Sequence, residues 1–199
     1  MRTNRSLRRL TALLAMLLGL NLSLAACGGS GGGGADSVVL NVGATTEPTG
    51  MDPAVDTGAG TPFVLLYNVY ETLVRIDEKG EIKPLLARSW SASSDGSVYT
   101  FKLEPNATFA SGKPVNAAAV IASFERTRDG ENTTEVLKKQ MSRIKEMRAV
   151  DDHTVEVTLT ASSKRWLYDI TSTAGIVYDL SSGQNLSEQP AGSGPYVFS

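Results

Sequence analysis

Two stretches of strict alternation constrain this fold more than anything else in the chain. After Asp95-Gly96, a dipeptide that favours a tight hairpin turn, Tyr99, Phe101 and Leu103 alternate with Thr100 and Lys102. After Asp151-Asp152-His153, Val155, Val157 and Leu159 alternate with Glu156 and Thr158. A period of two sends one set of side chains to each face of a strand, so both stretches predict half-buried strands. The second forms a hairpin with Ile144–Val150. Between the hairpins, Asn116 predicts an N-cap for a helix over Ala117 to Thr127, with Val120, Ile121 and Phe124 on its buried face. Glu131 to Gln140 reads as a polar loop leading into a short helix. Ser163 to Ile170 predicts another short helix, and Ile176 to Tyr178 a short strand.

The front is less regular. Val38-Val39-Leu40-Asn41-Val42 ends at Gly43 and predicts a strand buried on both faces, as in α/β proteins. Thr45 to Gly60 is rich in Gly, Pro, Thr and Asp and reads as a loop. Thr61-Pro62 predicts an N-cap and first helical residue, with the helix running to about Glu71 and Phe63, Leu66 and Tyr70 along one side. Leu73 to Ile76 is expected as a strand and Asp77 to Gly80 as a turn. Tyr196-Val197-Phe198 is expected to begin a further strand, so the chain ends mid-fold at Ser199.

Residues 1–26 have the order of a secretory leader. Arg2, Arg5, Arg8 and Arg9 precede an apolar stretch from Leu10 to Leu20, which is too short for a membrane span of about 20 apolar residues. Leu24-Ala25-Ala26-Cys27 resembles the lipobox of bacterial lipoproteins, which implies cleavage before Cys27 and lipidation of its thiol. A diacylglyceryl group supplies the two chains that stable anchoring requires. The glycine-rich run that follows, within residues 27–36, predicts a flexible tether.

Composition excludes several classes. With the four leader arginines set aside, 15 basic and 21 acidic residues remain, a net charge of about −6 that argues against a nucleic-acid partner. Cys27 is the only cysteine, so no intramolecular disulfide is available. One histidine and one lipid-bearing cysteine make no metal cage, and no cofactor motif is present. His153, the only imidazole, falls in a hairpin turn beside two aspartates. No nucleophile elbow or Ser-x-x-Lys motif appears, so no catalytic residue is assigned. Trp90 and Trp166 have two readings, core packing or stacking platforms for a ligand.

The order of elements resembles the bacterial family 5 extracellular solute-binding proteins, the peptide- and nickel-type receptors of ABC importers. The resemblance rests on Glu47 to Pro53, Tyr70 to Val74, Pro84 to Trp90, Tyr99 to Leu103, Phe109 to Val115, Ser123 to Arg126, and Gly192 to Tyr196. One departure is Ala119, where family members usually carry an acidic residue. The resemblance implies an α/β, type II periplasmic-binding-protein architecture of two lobes with an extra domain, here truncated and without its second lobe. It implies that residues 37–65 open lobe I, that 66–186 form the extra α+β domain, and that 187–199 return to lobe I.

Thr46, Glu47, Pro48 and Thr49 are thereby expected at the wall of a ligand cleft, outside the carboxyl end of a sheet strand, where open α/β sheets bind ligands. Gly192, Ser193 and Gly194 are expected as a hinge. The function implied is a lipid-anchored extracytoplasmic receptor that binds a peptide or similar small solute and passes it to permease subunits. A nickel-chelate or other solute receptor, a signalling or adhesion lipoprotein on the same fold, and a hydrolase are the alternatives.

Overall fold

Residue 39 and residues 41–56 and 58–198 are described by a computed structural model. The expected leader, Cys27 and the whole tether region lie outside the described residues. From Gly43 onward the chain forms one compact unit.

The two alternating stretches are the centre of the fold. Strands β4 (Ala87–Ala92), β5 (Val98–Leu103), β6 (Ile144–Asp151) and β7 (Thr154–Leu159) form an antiparallel sheet in the order β4-β5-β7-β6. Gly96 has φ +71°, the left-handed conformation its hairpin turn needs. The residues expected on the inner face, Tyr99, Phe101, Leu103, Val155, Val157 and Leu159, are all buried. Burial of such side chains contributes about 1.5–3 kcal/mol each. Outside, Arg148 on β6 bonds Glu156 on β7 at 2.9 Å, a cross-strand pair.

One helix covers the inner face. It spans Ala117–Asp129, two residues beyond the expected end, and is capped as expected: the Ala119 N–H donates to the Asn116 side chain at 2.9 Å. Val120 and Phe124 are buried, while Ile121 packs at the edge. Glu135–Met141 forms the short helix expected after the polar loop. Trp166–Asp169 forms another, four residues long within the expected span. Trp166 is fully buried against Tyr99 and Phe101, with ring centroids 5.1 and 6.2 Å away. It therefore packs and offers no exposed stacking face. Trp90 is half-buried at the rim of the same core.

Three expectations at the front and end are corrected. Helix α1 covers only Gly60–Leu65 and does not reach Glu71. Leu66 turns extended, Tyr67 takes φ +64°, and the N–H groups of Val69 and Tyr70 close onto Leu65 in a turn. Nor is Thr61 the cap: it lies inside the helix, with Ala59 before it, and Phe63 is exposed. The chain instead makes β1 (Glu71–Thr72), which pairs antiparallel with β8 (Ile176–Val177), followed by the expected β2 (Val74–Ile76), which pairs with β3 (Ile82–Pro84). Val39 and Val42 are exposed and outside any described strand. Tyr196, Val197 and Phe198 are likewise exposed and not in a strand. Their β-branched and aromatic character suits a strand, but a strand exists only where a neighbour completes its ladder.

In chain order the helices are α1, then α2 (Ala117–Asp129), α3 (Glu135–Met141) and α4 (Trp166–Asp169). The apolar side chains gather in two clusters. The larger lies between the sheet, α2, α3 and α4. The smaller joins Ala54, Leu65, Val69 and Tyr70 to Ile176, Tyr178, Leu186 and Ala191. No helix among the described residues is long and apolar enough to cross a membrane.

Candidate functional site

The loop expected to line a cleft is held by two aspartates. Asp56 lies at its far end and gathers donors from both sides. Thr49 donates its hydroxyl at 2.6 Å, the Gly58 N–H donates at 2.9 Å, and the Thr61 hydroxyl bonds the other carboxylate oxygen. Burial opposes ionisation of Asp56. The hydroxyls of Thr49 and Thr61 and the N–H groups of Gly58 and Gly50 outweigh it and hold the carboxyl below its usual range. The start of α1 presses on the loop from behind, since a Cβ on Gly60 would meet the Glu47 carbonyl oxygen at 2.7 Å. Thr46, Glu47 and Thr49 remain exposed and Pro48 half-buried. The expected four thus form one outward-facing segment on a supported base.

Asp52 was not singled out by the sequence, yet it is the loop's deepest anchor. It is 4 % exposed. One oxygen accepts the Ala54 N–H at 3.1 Å, and the other accepts the Arg126 guanidinium from the last turn of α2. That guanidinium lies over the Tyr178 ring, 4.7 Å from its centroid, and Tyr178 meets Tyr70 edge-on at 5.1 Å. Burial first, and then the nearby Asp52 charge, push both phenols well above their ordinary range, so both remain protonated. A second tie runs from the Thr134 N–H, just before α3, to the Ala54 carbonyl at 2.9 Å. Beside this anchor an open cavity of about 430 Å³ is lined by Asp52, Val55, Arg126, Asn132, Asn185 and Ser187.

The segment expected as a hinge lies along the turn after α1. The Gly194 N–H donates to the Val69 carbonyl at 2.9 Å, and the Tyr196 N–H to the Asn68 carbonyl at 3.0 Å. A Cβ on Gly192 would strike the Val69 carbonyl oxygen, and one on Gly194 the Asn68 carbonyl oxygen. Only glycine permits so close a backbone approach. Ser193, between them, donates to Glu71 at 2.8 Å. Burial raises the Glu71 carboxyl above its ordinary value, with the Ser193 bond only partly offsetting it.

Residues 81–199 match the family model described as the middle part of the bacterial extracellular solute-binding proteins, family 5. The match covers more than half of the chain. The chain belongs to this family. Members of family 5 are solute-binding proteins. A relative described as a probable D,D-dipeptide-binding periplasmic protein, DdpA of Escherichia coli K12, is 30 % identical over 97 % of this chain and 38 % of its own length. The solved structure of AgaA from A. tumefaciens R10, in complex with agropinic acid, aligns with a TM-score of 0.70 at 28 % identity, covering 77 % of this chain and 31 % of that one. DppA from Helicobacter pylori, in complex with the peptide STSA, aligns with a TM-score of 0.68 at 28 % identity, over 77 % and 35 %. The fold is therefore the α/β, type II periplasmic-binding-protein type. The chain spans about a third of the length of these relatives, and it matches their N-terminal portion.

Within family 5 terms, the structure brings the expected loop and return segment to the two sides of α1. It does not bring either next to Trp90, Trp166 or His153, which belong to the sheet region. Among the described residues no group of three or more His, Cys, Asp or Glu is placed to hold a metal. The residues that sequence reasoning missed are Asp52, Arg126 and Tyr178. The first two fall inside motifs that carry the family resemblance, Glu47 to Pro53 and Ser123 to Arg126. That was the available signal.

Proposed function

We propose that this chain is the front part of a lipid-anchored, extracytoplasmic substrate-binding component of an ABC importer, with a peptide or similar small solute as ligand. The observation that carries the reading is membership of family 5 together with relatives whose names and bound ligands are dipeptides and a tetrapeptide. Agropinic acid in AgaA keeps a non-peptide solute as the second reading. In either reading the partners are permease subunits, and the chain performs no catalysis.

Thr46 to Thr49 would form part of the cleft wall, an assignment supported by their exposure on a loop fixed from behind. Gly192 to Gly194 would be the crossing between lobes. The division into lobe I segments at 37–65 and 187–199 and an inserted domain at 66–186 rests on the family likeness; the smaller apolar cluster runs across both boundaries, packing Ala54, Leu65 and Ala191 against Val69, Tyr70, Ile176, Tyr178 and Leu186. Lipidation at Cys27 rests on Leu24-Ala25-Ala26-Cys27 alone. It predicts palmitate labelling that Cys27→Ala abolishes.

The deciding experiment is calorimetry of the complete gene product carrying this chain, titrated separately with a di- and tripeptide pool and with nickel chelates. Saturable heat with peptides is expected, weakened about tenfold or more by Glu47→Ala with an unchanged melting temperature. Saturation by chelates alone would replace the peptide reading. Full peptide affinity in the Glu47→Ala variant would remove that residue from the wall.

A further inference from the structure

The charge of this acidic chain is unevenly placed. Residues 138–165 carry seven basic and four acidic residues, a net +3, whereas the rest of the body carries eight basic and seventeen acidic, a net −9. Part of the basic stretch lies on α3, where Lys138 and Lys139 line a cavity with Arg128, Asp129 and Glu135, and part at α4. Gln140 of α3 shares an open cavity of about 410 Å³ with Arg165, Tyr168 and Asp169 at α4. Val136 lies one helical turn before Gln140 and therefore on the same side of α3. Lys139, Arg143, Lys145 and Arg165 are exposed. On the same two helices two apolar or aromatic side chains are unusually exposed, Val136 at 68 % and Tyr168 at 47 %.

The acidic groups nearby are partly engaged, Asp129 being paired with Arg128 at 2.7 Å. Glu135 is paired with Lys138 at 3.2 Å, and Asp169 lies 3.8 Å from Arg165. Glu146 is exposed beside Lys145. A surface that sets cations around a tyrosine and a short aliphatic side chain matches the chemistry of an anionic bilayer. Cations meet the headgroup phosphates, while Tyr enters the interfacial layer that amphipathic rings favour.

We propose that the face formed by α3, the start of β6 and α4 docks on an anionic lipid surface, with Lys139, Arg143 and Arg165 as its electrostatic contacts and Val136 and Tyr168 as its shallow insertions. This goes beyond the receptor reading and depends neither on ligand binding nor on lipidation. The chain would lie against the membrane by a defined side, so that an anchor would limit its distance and this face its orientation.

The test uses the chain from residue 27 onward carrying Cys27→Ser, which removes the lipid-accepting thiol, in sedimentation with vesicles of phosphatidylcholine alone or mixed equally with phosphatidylglycerol. Each Lys or Arg near an anionic surface is worth about 1 kcal/mol, so the triple variant Lys139→Gln, Arg143→Gln, Arg165→Gln should bind the mixed vesicles about a hundredfold more weakly. Both proteins begin at residue 27, without the apolar, basic leader, which would bind anionic vesicles by itself. A polarity-sensitive dye on Val136→Cys in the Cys27→Ser background should shift to the blue on mixed vesicles and not on neutral ones. Equal binding of the parent and the triple variant would overturn the proposal, as would a Val136 probe that does not respond to phosphatidylglycerol.

Discussion

Asp52 and Arg126 are 74 positions apart in the chain and meet as an ion pair that ties the loop before α1 to the last turn of α2. Asp52 is almost fully buried, and the guanidinium is sandwiched between it and the Tyr178 ring. Removing one partner of such a pair leaves the other charged in a poorly solvated place, which is costlier than the pair's own net contribution. Asp52→Asn should therefore lower the unfolding free energy by about 3 kcal/mol, read from urea denaturation. Arg126→Lys should lose a substantial part of this, because an ammonium cannot both pair with the carboxylate and lie flat on the ring. Wild-type stability in Asp52→Asn would show that the loop is held by its backbone ties alone.

Gly192→Ala and Gly194→Ala are expected to destabilise strongly, by about 2 kcal/mol or more, since the new methyl has to displace a backbone carbonyl. Gly112→Ala is the control. Gly112 has φ +82° with open space around it, so its cost is the left-handed conformation alone, about 1 kcal/mol. Melting temperatures of the three variants should rank accordingly.

Glu71 gives a pH dependence of definite sign. Its folded carboxyl titrates above the ordinary value of 4.5, chiefly because it is buried. Between 4.5 and that raised value the folded chain binds more protons than the unfolded one, so stability falls as pH rises through this window. Glu71→Gln should remove the fall and be the more stable protein at neutral pH relative to its value at pH 4. Parallel stability profiles for the two proteins from pH 4 to 8 would contradict this.

The exposed Val39, Val42 and Tyr196 to Phe198 bear on the domain assignment. Limited proteolysis with mass spectrometry should trim the exposed ends around residues 39–43 and 196–198 first and leave a resistant core that contains residues 66–186. Protection concentrated in residues 38–43 and 196–199 would require different boundaries. The same assignment places only part of the cleft in this chain, so residues 36–199 alone should give no saturable heat with the peptide pool.

What could be read from the sequence was local. Alternation around Phe101 and Val157 announced the strands, because a half-buried face writes its period directly into consecutive residues. Asn116 announced α2 because a cap acts within three residues. The failures have one physical origin, partners distant in the chain. Glu71, the expected end of the first helix, and Thr72 pair instead with Val177 and Ile176, more than a hundred positions later. Val39 and Val42 have strand propensity without a described ladder to enter. At the candidate site the loop could be placed from its composition and family likeness. Asp52 could not be told from other acidic residues, since its choice of Arg126 depends on how the loop folds back on α2. The glycines near 193 were visible, but the close approach they permit was not.

The sheet order carries a kinetic consequence. The β4–β5 and β6–β7 hairpins close over short turns and can form within about 1–10 μs. The central seam is different: Phe101 on β5 pairs with Val155 on β7, with α2 and α3 in the intervening chain. Closing that longer loop carries a larger entropic cost than either hairpin, and non-local pairing slows folding. Until the seam closes, each hairpin presents an unpaired inner edge and an apolar face, a state in which two chains can pair with each other. The time spent with β5 and β7 apart, rather than the stability of either hairpin, should govern how much of this chain is lost to aggregation during refolding.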